Sequence, residues 1–185
     1  MAKASSLVQL SPKASWIVTT KSGVQFDAEL QIWRYRDGVS NVRFNFSIVY
    51  DRAPALVGPF KKALVWYAEN HSPDHLSNLF NRFSHLLRTM AVGGGLREID
   101  ASLLLSYKAS LSQSTIWYFG TLSGFFRKWK ALGFGGISGD AIHLLKQIRV
   151  QGNQKGEAKR AAKKARQAGL EGKAGARRAT AKSKV

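Results

Sequence analysis

The 185-residue chain contains no cysteine, which excludes a disulfide framework and any metal site built on thiolates. No stretch reaches the roughly 18 consecutive apolar residues that a membrane-spanning helix needs. The residues after Met1 mix small, polar and apolar side chains, without the apolar segment typical of a secretory signal. These absences predict a cytoplasmic protein with no membrane partner.

Acidic residues are also scarce. Lys and Arg number 29 against 11 Asp and Glu, which gives a net charge of +18. Residues 1–150 contain 18 basic and 9 acidic residues, and residues 151–185 contain 11 and 2, so each part has a surplus of +9. A surplus in both parts predicts a polyanionic partner, of which nucleic acid is the commonest.

Residues 15–50 have the alternating pattern of β-strands and follow a flexible N-terminus over residues 1–14. Turn signals at Lys21-Ser22-Gly23 and Arg36-Asp37-Gly38 divide the pattern. The clearest alternation predicts one strand with four inward side chains: Val42, Phe44, Phe46 and Ile48. We predict a small element of two to four strands that packs on the helices, because such a unit is too small to be stable alone.

Residues 55–150 have helical periodicity, which predicts a mainly α fold with a bundle of four to five helices. The first helix is predicted from about Ala55 to Asn70. The best-defined helix begins after Ser72, a suitable N-cap, with Pro73 at its first position. Its apolar stripe consists of Leu76, Leu79, Phe80, Phe83, Leu86, Leu87 and Met90.

Three more helices are predicted further along the chain. One begins at Asp100 and turns these side chains inward: Leu103, Leu104, Tyr107 and Leu111. The next follows Ser112-Gln113-Ser114, ends at Gly133 and has a longer stripe: Ile116, Phe119, Leu122, Phe125, Phe126, Trp129 and Leu132. The last is short, from about Asp140 to Val150, with Ile142, Leu145 and Ile148 inward.

Residues 151–185 consist almost entirely of Ala, Lys, Arg and Gly and contain no aromatic residue. Such a composition cannot bury a core, so we predict a disordered basic tail.

No motif for catalysis, a cofactor or a small-molecule substrate is found. His71 and His75 flank the predicted helix start at Pro73, and the absence of a third ligand argues against a metal site. The glycine runs Gly93–Gly95 and Gly133–Gly136 do not follow strands or lead into Gly-Lys-Ser/Thr. Both are therefore predicted to end helices and not to bind phosphate.

Basic residues on the outer helix faces are the candidate contacts to DNA. Arg127, Lys128 and Lys130 are the strongest, because they cluster on a helix that Trp129 would fix in place. The remaining candidates are single basic residues, each of which is otherwise simply solvated: Lys61, Lys62, Arg82, Arg88, Lys108, Lys146 and Arg149.

The order of helices in residues 55–150 resembles the core-binding, SAM-like domain of tyrosine recombinases, the phage integrase family. The similar pieces are Ile99 with Leu103, Leu104 and Tyr107, the serine-rich link Ser112–Thr115, and then Leu122, Phe125, Phe126 and Trp129. Gly152–Gly156 is similar to the linker that leads to the catalytic domain in that family.

The resemblance implies a domain that clamps double-stranded DNA, mainly through phosphates. It also implies a catalytic domain with a nucleophilic tyrosine, and nothing after Gly156 is similar to it. We therefore expect a truncated recombinase without catalytic activity, which is associated with DNA integration and recombination in the nucleoid. A full-length recombinase protomer is a further candidate partner.

Two other functions remain open. The first is a nucleoid-associated or RNA-binding structural protein that acts through its basic tail. The second is a complete enzyme of unknown type.

Overall fold

The structure is a computed structural model that describes residues 15–90 and 95–148. Four short strands come first: β1 (Ile17–Thr19), β2 (Gln25–Asp27), β3 (Ile32–Asp37) and β4 (Ser40–Asn45). They form two antiparallel two-stranded sheets, β1–β2 and β3–β4. The predicted strand-rich element is confirmed, whereas the predicted flexible N-terminus and disordered tail lie outside the described residues.

Helices make up most of the remaining described chain. They are α1 (Ser47–Arg52), a 3₁₀ helix (Pro54–Leu56), α2 (Val57–Asn70), α3 (Pro73–Thr89), α4 (Ala101–Ser110), α5 (Trp117–Ala131) and α6 (Gly139–Gln147). The prediction of a mainly α fold is confirmed. Five α-helices, α2 to α6, lie in the described part of residues 55–150, where four to five were predicted, and α1 precedes them.

The additional helix, α1, corrects the predicted strand through Ile48. Strand β4 ends at Asn45, whose side-chain oxygen accepts hydrogen bonds from the Ser47 backbone N–H at 3.0 Å and from the Ser47 hydroxyl at 2.7 Å. Such a local bond turns the chain out of the sheet. Ile48 therefore lies in a helix and is only partly buried, while Val49 is fully buried.

The predicted helix starts are explained by side-chain caps. The Ser72 hydroxyl accepts a hydrogen bond from the His75 N–H at 3.4 Å, and the Asp100 carboxylate accepts one from the Leu103 N–H at 2.7 Å. The last helix begins one residue earlier than predicted because Ser138 caps it, with the Ala141 N–H at 3.2 Å from its hydroxyl. Each cap satisfies a backbone donor that has no partner within the helix.

The strands and helices share one hydrophobic core. The ring of Phe44 on β4 stacks on Phe80 of α3, with centroids 4.7 Å apart. Phe46, at the end of the sheet, contacts Phe60 of α2 edge-on at 5.9 Å. The expectation that the strand element packs on the helices is confirmed.

Most predicted core positions are buried, but the ends of the stripes are not. The stripe of α3 is buried from Leu76 to Leu87. In α4 only Leu104 and Tyr107 are buried. The predicted inward residues that are only partly buried lie at or near helix ends: Met90, Leu103, Leu111, Ile116, Leu132, Ile142 and Ile148.

A short backbone pairing joins the segments that precede α4 and α6. The Ile99 N–H donates to the Gly136 carbonyl at 2.9 Å, and the Ser138 N–H donates to the Ile99 carbonyl at 3.0 Å. Gly136 has a φ of +91°, and a Cβ there would collide with the buried side chain of Leu56. The pairing therefore requires glycine at this position.

Candidate nucleic-acid interface

Helix α5 carries the strongest candidates and has one deeply buried face. Its buried side chains include Phe119, Phe125, Phe126 and Trp129, which fix the helix against α2 and α3. Gly133, with a φ of +75°, ends the helix as predicted. Helix α5 contains no acidic residue, so its only charged side chains are the three basic ones near its end.

The three basic residues near the end of α5 do not form one patch. Two residues along an α-helix turn it by about 200°, so Lys128 and Lys130 leave different sides of α5. The Lys130 ammonium donates to the Ile137 carbonyl at 2.6 Å and holds the loop that leads to α6. The Arg127 Nε donates to the Ser123 carbonyl of its own helix at 3.2 Å, and the side chain is exposed.

Lys128 is held by a tryptophan of a neighbouring helix. Its ammonium lies 3.8 Å from the centroid of the Trp66 ring of α2, in cation–π contact. Both side chains are half-buried. The contact holds the long lysine side chain in place. Less side-chain entropy is therefore lost when a phosphate binds to it.

Arg82 of α3 forms a similar pair at the other end of α5. Its guanidinium lies 4.1 Å from the centroid of the Trp117 ring and donates to the Thr121 hydroxyl at 2.8 Å. Burial lowers the pKa of Arg82 from its ordinary value. Trp117 remains 47% exposed, so the pair borders the solvent.

The two pairs lie on the same face of α5. Trp117, Thr121, Gly124 and Lys128 follow one another at steps of four, three and four residues, which is one outer stripe of a helix. At the helical rise, Trp117 and Lys128 are about 16 Å apart along the axis. A side chain at Gly124 would meet no atom within 4 Å, so the surface between the pairs is open. We call these four residues with Arg82 and Trp66 the α5 face.

The remaining candidates are placed singly. Lys62 is exposed on α2, one turn before Trp66 and on the same side of that helix. Arg88 and Lys146 are exposed on α3 and α6, and Lys108 is half-buried on α4. Arg149 lies outside the described residues.

The expectation that Lys61 lies on an outer helix face is wrong. It is only 4% exposed. Its ammonium donates to the carbonyls of Ala28 at 3.0 Å, Glu29 at 3.1 Å and Leu30 at 2.8 Å. The residue thus ties α2 to the segment between β2 and β3, and no phosphate can reach it without disrupting these bonds.

The histidines do not form a metal cluster within the described ranges, which contain no group of three or more ligating side chains. His71 and His75 instead stack, with ring centroids 5.0 Å apart. His85 shares a hydrogen bond of 2.9 Å with the Tyr107 hydroxyl. None of the helices in residues 15–90 and 95–148 is long and apolar enough to cross a membrane.

Sequence reasoning missed the tryptophan partners of the two cations. Trp66 and Trp117 lie outside the apolar stripes of their helices, and a tryptophan at a position where the stripe predicts a polar residue was the available signal.

No protein-family model, curated protein or solved structure matches this chain.

Proposed function

We propose that the chain binds duplex DNA through the α5 face and has no catalytic activity. In this proposal, residues 55–150 are an integrase-like, SAM-like core-binding domain. The proposed role is non-catalytic and is associated with DNA integration and recombination in the nucleoid, where a full-length recombinase protomer is a further candidate partner.

The pair of tryptophan-held cations on the α5 face is the observation that carries the proposal. The contact of Lys128 with Trp66 and that of Arg82 with Trp117 place two fixed positive charges on one side of a helix without acidic residues. Trp117, which contacts Arg82, and Lys128 are about 16 Å apart along the axis of α5, which corresponds to about five base steps at a rise of about 3.4 Å per step. Such an array favours contacts to phosphates along a duplex.

The charge of the described chain supports the same partner. Residues 15–90 and 95–148 contain 15 basic and 9 acidic residues, a net charge of +6 without the tail. A folded unit with this surplus attracts a polyanion at long range.

Most of the positions that carry the resemblance to integrases lie in the core of the helical bundle, whereas Leu103 is only half-buried. Ile99, Leu104 and Tyr107 are buried, as are Phe126 and Trp129. These are core positions that any helical bundle would bury, so the DNA contacts are argued from the α5 face alone.

A salt titration of binding to one random-sequence DNA duplex tests the proposal. The test variant is Arg82→Gln/Lys128→Gln, which removes the two cations of the α5 face. The matched control is Lys21→Gln/Arg97→Gln, which removes the same charge from two exposed residues elsewhere. Each lost phosphate contact lowers the log–log salt slope by about 0.9, so we expect the test variant to lower it by up to roughly 1.8 and the control to lower it less. Lys130 is left unchanged because its bond to Ile137 makes it structural.

The same titration with a chain that ends at Gly152 separates this proposal from binding by the tail. We expect the shortened chain to keep salt-dependent affinity for the duplex. A shortened chain with no measurable affinity at low salt would refute the proposal and favour a structural protein that acts through its tail.

A further inference from the structure

The register of the β3–β4 ribbon places two arginines directly opposite each other. Arg34 pairs with Arg43, and Arg36 pairs with Asn41 two residues closer to the turn. Directly opposed side chains have Cβ atoms about 5 Å apart. The two guanidinium groups therefore leave the ribbon as near neighbours.

All the arginines of the ribbon are on one face. Side chains alternate across a strand, so Arg34 and Arg36 of β3 share a face with Asn41, Arg43 and Asn45 of β4. These five side chains are exposed. The remaining residue of this face, Ile32, is apolar and half-buried, so the face contains no acidic group.

The opposite face explains why the ribbon presents the arginines outward. Trp33, Val42 and Phe44 are buried. The ring of Phe44 stacks on Phe80 of α3. The packing fixes the ribbon on the helical unit and turns the arginine face away from the core.

An opposed pair of like charges destabilises a two-stranded ribbon. Arg36 adds a third positive charge to this face, and its Nε donates to the Gly38 carbonyl of the turn at 3.3 Å. A bound polyanion would turn the repulsion between Arg34 and Arg43 into a favourable contact. The arrangement is thus disfavoured in the free protein and suited to an anionic partner.

We propose that the exposed face of β3–β4 is a second DNA-binding surface that enters the major groove of a duplex. A two-stranded ribbon fits the major groove of B-DNA, which is about 12 Å wide. Arginine binds guanine edges and phosphates bidentately, and asparagine binds adenine edges in the same way. The face therefore combines arginines suited to phosphates and guanine with Asn41, which is suited to adenine, while the Asn45 oxygen already accepts hydrogen bonds from Ser47.

The composition of the face selects duplex DNA over other nucleic acids. Single strands are bound by stacking of bases on aromatic rings, and the aromatic residues of the ribbon, Trp33, Tyr35 and Phe44, are all on the packed face. Duplex RNA has a deep, narrow major groove that side chains cannot read.

The inference shares its ligand with the proposed function but rests on other residues, so each can fail separately. The test variant is Arg34→Gln/Arg43→Gln in the full chain, and the matched control is again Lys21→Gln/Arg97→Gln. Binding is measured by salt titration on a DNA duplex, an RNA duplex and a single strand. We expect the test variant to lose about tenfold or more in affinity for duplex DNA and about 1.8 in salt slope, with a smaller effect in the control.

Thermal unfolding of the same variant guards against loss of binding through misfolding. Removal of the like-charge pair should leave the melting temperature equal to or above that of the parent. Unchanged affinity and slope on duplex DNA would overturn this inference and leave the proposal for the α5 face standing, whereas Arg82→Gln/Lys128→Gln tests the α5 face alone. An equal loss in the control, or a larger loss on RNA or on the single strand, would also overturn it.

Discussion

Lys61 offers the sharpest test of how the strand element is attached to the helices. The substitution Lys61→Met keeps the length and apolar stem of the side chain but removes the ammonium that binds the carbonyls of Ala28, Glu29 and Leu30. The ammonium also lies 5.0 Å from the centroid of the Phe46 ring. These contacts are lost together, and the buried Ala28 carbonyl keeps only the hydrogen bond from the Trp33 indole N–H at 3.1 Å.

The magnitude follows from the burial of each bond. A hydrogen bond to a charged group contributes about 1.5–3 kcal/mol. The bond to Ala28 belongs in the middle of that range, because the Trp33 indole N–H still donates to this buried carbonyl. The bonds to Glu29 and Leu30 are part-buried, so water replaces them at a lower cost. We therefore expect the free energy of unfolding to fall by about 3–4 kcal/mol, which corresponds to a melting temperature lower by roughly 10 °C.

The neighbouring lysine is a matched control. Lys62 is exposed on the same helix, so Lys62→Met should change the free energy of unfolding by about 0.5 kcal/mol or less. Urea and thermal unfolding, followed by circular dichroism, measure both variants. Equal unfolding midpoints for the two variants would refute the assignment of Lys61 as a structural tie.

Two further predictions concern pH and glycine. The pKa of His75 is lowered, first by burial and then by the positive charge of His71, so the unfolded chain takes up the proton more readily and stability should fall as the pH drops through about 6.5. His75→Gln should weaken this dependence, as measured by urea midpoints across that pH range, and an unchanged dependence would contradict the assignment. Gly136→Ala should unfold at a clearly lower temperature than Gly133→Ala. Both positions have positive φ, but only a Cβ at Gly136 collides with Leu56. Equal decreases in melting temperature for the two variants would show that the collision is relieved.

The elements that sequence predicted well are those with local signals. Helix α3 combines the cap at Ser72 with an unbroken stripe, and both act within a few residues of chain. The prediction of a strand through Ile48 was wrong because the alternation of apolar and polar residues continues beyond the point where Asn45 turns the chain. The later apolar residues Val49, Ala53 and Leu56 have helical spacing, and this was the competing signal.

The candidate site was predicted less well because it depends on contacts between helices. Lys128 and Arg82 were named from sequence, but their tryptophan partners lie on other elements, and no sequence pattern pairs them. The sequence placed Lys128 and Lys130 in one cluster, but two residues along an α-helix point in directions about 200° apart, so the two lysines lie on different sides of α5. Lys61 carried a usable signal, because it falls in line with Val57, Val65 and Ala68 on the apolar side of α2.

The pairing between Ile99 and Ile137 has a consequence for how the molecule opens. Helix α4 contributes only Leu104 and Tyr107 to the core, and α6 contributes only Ala141 and Leu145. Segments with few buried contacts unfold locally at a lower free energy than the whole molecule. Because the pairing joins the entries of both helices, α4 and α6 should open together as one cooperative unit, and their amide hydrogens should exchange with solvent before those of α3.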